Sequence, residues 1–447
     1  MPNRIITAID IGSAKIATVI ASLEEAQMPS VIGVATYPSQ GIKKGVIVNI
    51  DDAINAIAGS LEAAERMAGL TVSSVYISIN GKHITSTNNK GVVAVAQDEI
   101  APDDVFRAIE SARTVSIPPT REILHVIPRE FIVDAQGDIK DPIGMSGTRL
   151  EVDTHIISAT SSALHNLIKC VQQLGLRIDD VVFSGWSASN SVLTATEKEL
   201  GVMILDIGGG TSSITTFVED SITYSSSVPF GGANVTSDLA IGLRVSLEDA
   251  EKIKLNAEDL IKEIKKINTP ISEATRRRQE LLGQKSKDES PEADEDKKES
   301  RKAKDILDVT SLEIEGVKTI SRKMFEEIVE ARLSEIFDIV IKQVEQSGND
   351  ARLPAGVVLT GGTALLPGIT TVAKKVFGIP ARIGYPKGLG GLVDEISSPT
   401  YAVVQGLILY GSQDENVKIA KRQTAIKAGA GENILGKIRN FVKNLLP

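Results

Sequence analysis

Gly201–Ser213 reads GVMILDIGGGTSS. Val202 to Leu205, with Ile207 one place on, set apolar residues around Asp206, and Gly208, Gly209, Gly210, Thr211 and Ser212 follow. An apolar run of this length bounded by a glycine turn predicts a buried strand. Glycines let a chain turn sharply and bring backbone N–H groups close to an anion. Thr211 and Ser212 add hydroxyl donors. A carboxylate at the strand's end, here Asp206, suits the water shell of Mg²⁺. Ile214–Val218 predicts the returning strand, so the unit reads as a phosphate-binding hairpin.

The same pattern opens the chain. Ile5–Ile9 predicts a strand, followed by Asp10, Ile11, Gly12, Ser13, Ala14 and Lys15, and then Ile16–Ala21 as the return strand. One such turn alone reads equally as a tight turn with a solvated aspartate. Two of them, nearly half the chain apart, imply two similar domains that each offer an aspartate and a backbone cradle to one polyphosphate, and ligand sites commonly form where domains meet. A third strand, Gly356–Thr360, ends in Gly361-Gly362-Thr363 within VVLTGGTALLPG, where small residues would let a base or ribose lie against a helix start. Glu251 and Lys254, about one helical turn apart, share a face. They read either as contacts to ribose or adenine or as a surface ion pair.

Composition narrows the class. At 447 residues the chain has room for two to four domains. Aromatic residues make up 4 % and apolar residues 42 %, which suits an α/β protein with buried strands. The net charge of −9 argues against general nucleic-acid binding. The single Cys170 excludes an intramolecular disulfide framework and fits a reducing compartment. The N-terminus enters the first strand without a signal-peptide pattern, and no apolar run is long enough to span a bilayer, so an intracellular protein is expected.

Between these motifs the pattern predicts short strands at Val31–Thr36 and Val46–Ile50, and a helix over Asp51–Ala68 capped by Asp51 or Asp52. A strand over Val75–Ile79 ends at the Asn80-Gly81 turn. Residues 84–161 change texture and read as a small inserted α/β domain. It holds a strand over Lys90–Ala96, a helix from Ala101 to Ala112, and a strand over Glu122–Asp134 interrupted by Pro128. An irregular Asp138–Val152 and a strand over His155–Ala159 complete it. Ser161–Gly175, capped by Gly175, and Ser187–Thr196 predict helices, as do Asn234–Gly242, Ser246–Leu255 and Ser321–Glu345. Leu312–Thr319 reads as a strand. Residues 284–305 are dense in charge and poor in large apolar side chains, which predicts a disordered loop.

The order AIDIGSAK, LDIGGGTSS, LTGGTALLPG resembles the ATPase fold shared by actin, heat-shock chaperones and sugar kinases. Within it, DPIGMSGTRLEV, VPFGG…LAIGLRVSLEDAEKIK and EARLSEIF resemble the FtsA family of bacterial cell-division proteins, along essentially the whole chain. The resemblance implies an α/β, actin-like two-lobed ATPase fold with a duplicated core and a small inserted α/β subdomain. Residues 1–83, completed by 162–197 and about 395–412, would form the first lobe. The insert would be 84–161. The second-lobe core would be 198–229 and 310–394, with 230–309 as its outer subdomain. ATP and Mg²⁺ would sit between the lobes. Gly12, Ser13 and Lys15 would hold phosphates from one side and Gly208, Gly209, Gly210, Thr211 and Ser212 from the other. Asp10 and Asp206 would order Mg²⁺ waters, and Gly361, Gly362 and Thr363, with Glu251 and Lys254, would line the nucleoside pocket. No catalytic base is evident; His155 reads more readily as a structural histidine, so turnover at most slow is expected.

The family's partner is the tubulin-like protein FtsZ, whose C-terminal tail docks on the second half of the molecule. Ser321–Phe337 resembles the docking helix, with Lys323 and Arg332 as basic contacts or, alternatively, as parts of a solvated face. The resemblance also implies a head-to-tail filament of the chain itself and contacts with later division proteins. The tail makes its own case. In Glu432–Leu446, Ile434, Leu435, Ile438, Phe441, Val442, Leu445 and Leu446 form one stripe, with Lys437, Arg439 and Lys443 outside it. Following a polar tether at 413–431, such a basic amphipathic helix reads as an anchor to an anionic membrane surface, the alternative being a helix folded back onto the body. A peripheral place on the cytoplasmic side of the membrane at the division site is therefore expected. A pilus-assembly adaptor or a small-molecule kinase of the same superfold is the rival reading. Neither explains the tail.

Overall fold

The computed structural model describes residues 4–24, 27–261, 305–348 and 353–413. These divide into two compact units. One runs from the N-terminal strand to Gly232 and takes in Ile336–Leu365 and the described residues from Ala373 onward; the other holds the described part of Ala233–Glu335 together with Leu366–Val372. Most of the predicted charged loop, and the tether and amphipathic tail, lie outside the described residues.

The first unit contains two sheets built on one plan. In the first, Arg4–Ile11 pairs antiparallel with Lys15–Leu23, which pairs antiparallel with Ser30–Pro38. On the other side of Arg4–Ile11, Ser74–Ile79 and then Arg177–Phe183 add in parallel. In the second sheet Val202–Ile207, Ser212–Val218 and Ser221–Val228 form the antiparallel meander, and Gly356–Thr360 and Ala381–Ile383 add in parallel. This is the duplicated core expected from the paired hairpins. Parallel strands covered on both faces read as continuous apolar runs, and all six residues of Val202–Ile207 are buried.

Helices cover both faces of the first sheet. Ile9, Ile16, Ile20 and Ile77 pack with Ile57 and Leu61 of the helix Ile50–Ala68 and with Leu164 and Leu167 of Ser161–Gln172. Ala8, Ala17, Val19 and Tyr76 pack on the opposite face with Val404, Leu407 and Ile408 of the helix over 402–413. The inserted domain has a core of its own. Its antiparallel sheet runs in the order Thr85–Ala94, Arg149–Thr160, Arg121–Val133, Gln136–Ile139, and the helix Pro102–Arg113 closes Val105, Ala108 and Ile109 over Phe131, Leu150 and Val152.

Several expectations need correcting. The helix Ile50–Ala68 is capped by Asn49, whose side chain accepts from the backbone N–H groups of Asp51 and Asp52. Those two aspartates occupy the first turn, where carboxylates favour the helix dipole. Pro128 does not interrupt its strand. It faces Thr154 where the register shifts, and a strand tolerates proline at such a bulge. The irregular segment is shorter than predicted, because Gln136–Ile139 and Arg149–Val152 belong to the sheet. Ser187–Thr196 is not one helix but the end of Ser184–Val192 and the start of Ala195–Leu200, whose N-cap is Thr194. The helix from Ser161 stops at Gln172, before Gly175. Leu312–Thr319 is no strand; it links the short antiparallel strands Ile306–Asp308 and Thr319–Ser321.

In the second unit, the helices Gly232–Leu243 and Leu247–Leu255 accompany that two-stranded sheet and the first part of the helix Arg322–Gln346. Ser246 caps the second of these helices, as expected. Asp305, the last residue of the predicted loop, takes part in the long helix's start, its carboxylate accepting from the Lys323 backbone N–H at 2.8 Å.

Candidate functional site

Register places the two aspartates alike. Asp10 faces Ala17 and Asp206 faces Ser213, each the penultimate residue of its strand and each followed by a glycine turn. The two turns approach each other closely. A Cβ built on Gly209 would lie 2.6 Å from the Ala14 side chain, and one on Gly210 would lie 3.0 Å from Ser13 Cβ and 3.2 Å from the Lys44 backbone nitrogen. Glycine at these positions lets the two turns approach where a side chain would clash.

The carboxylates sit in different electrostatic settings. Asp10 accepts from Ser78 Oγ at 2.7 Å, while Ser78 Oγ accepts from the Ile11 N–H at 2.9 Å. Burial raises the Asp10 pKa, against the opposing effects of the Ser78 hydrogen bond and the Lys15 charge. Asp206 has no hydrogen bond to its carboxylate among the described residues. Burial, reinforced by the charge on Asp10, pushes it up to about 7. Two neighbouring carboxylates, Asp206 buried and Asp10 partly so, with no bidentate basic partner among the described residues, form an environment that a hydrated cation would relieve. Among the described residues no group of three or more potential ligands forms a direct metal cage. Lys15 is partly buried, its pKa lowered by that burial, and its amine stands 4.1 Å above the Tyr401 ring.

The second turn is braced by backbone. Gly208 N–H donates to Thr211 O, and the Gly208 carbonyl accepts from Gly232 N–H at 2.9 Å and from Thr363 Oγ1 at 3.0 Å. Ser212 Oγ donates to Phe230 O at 2.8 Å. Thr211 and Ser212 are buried. Gly361 has φ +84°, and a Cβ there would lie 2.5 Å from Asp206 Oδ1. The third motif thus packs against the second turn and its aspartate. Gly362–Leu365 is a 3₁₀ turn, not the start of an α-helix as the sequence suggested.

The remaining predicted residues belong to other elements. Glu251 and Lys254 lie in the second unit, where Lys254 Nζ donates to Glu251 Oε2 at 2.6 Å and to Thr236 Oγ1 at 2.9 Å. Lys323 is exposed, 3.8 Å from Glu327. Arg332 is held on its own unit, with Nη2 donating to Asp238 Oδ1 at 2.8 Å and Nη1 to Glu335 Oε2 at 2.7 Å. His155 is fully buried, its Nδ1 2.7 Å from Asn88 Oδ1 and its Nε2 2.9 Å from Ser225 Oγ. Both ring nitrogens are occupied in a contact between the inserted sheet and the second sheet, so the ring serves structure.

Sequence reasoning missed Ser78, Tyr401, the Phe230–Gly232 brace and the hairpin tip at Lys44-Gly45. A serine in the otherwise apolar strand Ser74–Ile79 was the readable signal for Ser78; Tyr401 carried none, since its contact with Lys15 spans most of the chain.

The duplicated sheet plan, the paired aspartate–glycine turns and the four-stranded insert define an actin-like protein with an additional domain. A solved structure of the PilM-PilN type IV pilus biogenesis complex superposes on 91 % of this chain and 98 % of that one, with a TM-score of 0.59 at 14 % identity, a likeness of fold alone. The family model for the SHS2 domain inserted in FtsA matches residues 81–158, and that for cell division protein FtsA matches residues 203–406. Cell division protein FtsA of Pseudomonas aeruginosa is 33 % identical over 414 residues, covering 93 % of this chain and 91 % of the relative. That of Neisseria meningitidis is 33 % identical over 450 residues, covering 99 % of each. That of Escherichia coli K12 is 31 % identical, covering 95 % and 94 %. The chain belongs to the FtsA family of actin-like cell-division proteins.

Proposed function

We propose that this chain binds ATP with Mg²⁺ between its two glycine turns and, in the nucleotide-bound form, assembles head to tail to hold FtsZ filaments at the cytoplasmic face of the membrane. The observation that carries the nucleotide part is the facing pair of turns, each following a penultimate aspartate, with Gly209 and Gly210 where a Cβ would crowd Ala14 and Ser13 of the opposite turn. Gly12, Ser13 and Lys15 on one side and Gly208–Ser212 on the other would hold phosphates. Asp10 and Asp206 would order the waters of Mg²⁺, which supplies charge neutralisation of the phosphates. Gly361, Gly362 and Thr363 would support the nucleoside side, with Glu251 and Lys254 as further candidates. No base is assigned, and phosphoryl transfer depends on positioning. Slow turnover, with the nucleotide as a conformational clamp, is the reading favoured here.

The membrane part rests on the sequence of Glu432–Leu446, whose apolar stripe and flanking Lys437, Arg439 and Lys443 suit an anionic surface. One such helix anchors reversibly, and many linked in a filament anchor tightly through effective concentration. The FtsZ part rests on family membership, with Lys323 and Arg332 as the docking candidates.

The test is co-sedimentation of the full chain with anionic vesicles, with and without ATP and Mg²⁺, in the presence of a peptide of the FtsZ C-terminal tail. Peptide carried to the vesicles only through this protein is the expected result. Unchanged vesicle binding after removal of residues 432–447 would sink the anchoring role. Vesicle binding without peptide recruitment would sink the FtsZ role.

A further inference from the structure

Near the two turns lies a small hairpin that neither motif includes. Ile42 pairs with Ile47 and Lys43 with Val46, leaving Lys44 and Gly45 as a two-residue loop. Both are left-handed, with φ +50° and +75°. Two consecutive positive φ values are those of a type I′ turn, in which lysine is an unusual first residue. Gly45 is required by its surroundings: a Cβ there would lie 2.2 Å from Asn80 Oδ1. No such packing explains the lysine, which is exposed.

The loop touches both turns. Gly45 N–H donates to Ser13 Oγ at 2.9 Å. The Lys44 backbone nitrogen lies 3.2 Å from the place a Cβ on Gly210 would occupy. The Lys44 amine stands 6.0 Å from the Phe230 ring centroid, over the segment that braces the second turn. No carboxylate lies within ion-pair distance of that amine among the described residues. Lys15 is placed differently: the residue is partly buried, with its amine over Tyr401 and beside the charge of Asp10. Because Ser13 Oγ accepts from Gly45, its own hydroxyl proton points elsewhere, and no acceptor for it is found among the described residues.

We propose that Lys44 is a phosphate-binding residue, seated by the Gly45–Ser13 hydrogen bond so that its amine contacts the terminal phosphate of a nucleoside triphosphate held between the turns. The proposal rests on the nucleotide reading above. Ser13 then joins hairpin to ligand, accepting from Gly45 while donating to a phosphate oxygen. A diphosphate lacks the group that Lys44 reaches, so Lys44 favours triphosphate over diphosphate and links the ligand's state to the order of the hairpin.

The experiment measures the affinities of the full chain for Mg–ATP and Mg–ADP by calorimetry, with hydrogen exchange of residues 42–47 followed in parallel. Lys44→Gln is expected to weaken ATP binding about tenfold while leaving ADP binding within twofold, and Lys44→Arg to restore ATP binding. ATP is expected to slow exchange at Gly45 in the wild-type chain more than ADP does, a readout that needs no variant to fold. Equal slowing by the two nucleotides, or an unchanged ATP-to-ADP ratio in a folded Lys44→Gln, would overturn the role of Lys44 and leave the nucleotide site standing. Failure of the wild-type chain to bind either nucleotide would overturn the nucleotide reading itself, and this proposal with it.

Discussion

The two glycine turns begin from the same Asp-Ile-Gly pattern and are built by opposite means. The first is short and works through side chains: Ser78 holds Asp10, Ser13 holds the neighbouring hairpin, and Lys15 places a cation near the carboxylate. The second contains three glycines and works through backbone: the Gly208 carbonyl is held by Gly232 and Thr363, while Gly361 lies against Asp206. Among the described residues Asp206 consequently has no donor to share its charge. A duplicated fold can therefore repeat a motif in sequence while assigning charge compensation to one copy and close approach to the other.

The largest expected effect is on pH dependence. Asp206 is raised from 3.8 to about 7, so its contribution to stability is fully present below pH 4 and is lost as pH rises through 7. Three units correspond to on the order of 4 kcal/mol. Urea unfolding of the nucleotide-free chain should show that loss between pH 4 and 8, and Asp206→Asn should flatten it. Asp10→Asn should lower the Asp206 pKa, because the Asp10 charge is one of its two causes. If Asp206→Asn and the wild-type chain show the same slope, the contrast between the two carboxylates is wrong.

Next comes the third motif. Gly361→Ala forces a left-handed alanine and a Cβ 2.5 Å from Asp206 Oδ1, and should cost roughly 3 kcal/mol in unfolding free energy. Gly362→Ala meets only the Thr400 methyl at 3.4 Å and should stay within about 0.5 kcal/mol. Equal losses at the two positions would remove the special closeness claimed for the second turn.

The smallest effect belongs to Ser78→Ala. It removes the Asp10 hydrogen bond and the acceptor of the Ile11 N–H, for a loss of about 1–2 kcal/mol and a further rise of the Asp10 pKa. NMR titration of the Asp10 carboxyl would detect the rise, and an unmoved value would show that Ser78 does not carry the compensation.

Much of this arrangement was legible in the chain. Asp10 and Asp206 stood at the ends of apolar runs before glycines, and strand pairing is local enough for each hairpin to be read whole. Gly356–Thr360 was readable because a buried parallel strand needs no alternation. What escaped depends on partners distant in sequence. Ser78 meets Asp10 across 68 residues and Thr363 meets Gly208 across 155, so neither pairing leaves a local pattern. The hairpin at Ile42–Ile47 was missed, with Val46–Ile50 read as a short strand by itself, because Lys44 is a poor advertisement for a left-handed turn. Pro128 misled for the converse reason: its cost in a strand vanishes where the register shifts and no ladder bond is required.

The central claim is that the two turns serve one ligand. Calorimetric titration of Mg–ATP into the wild-type chain, Asp10→Asn and Asp206→Asn tests it most directly, with circular dichroism to confirm that each variant is folded. One nucleotide per chain, with affinity reduced at least tenfold in each single variant, is the predicted result. Wild-type affinity retained by either folded variant would contradict it, because the site would then belong to one turn alone.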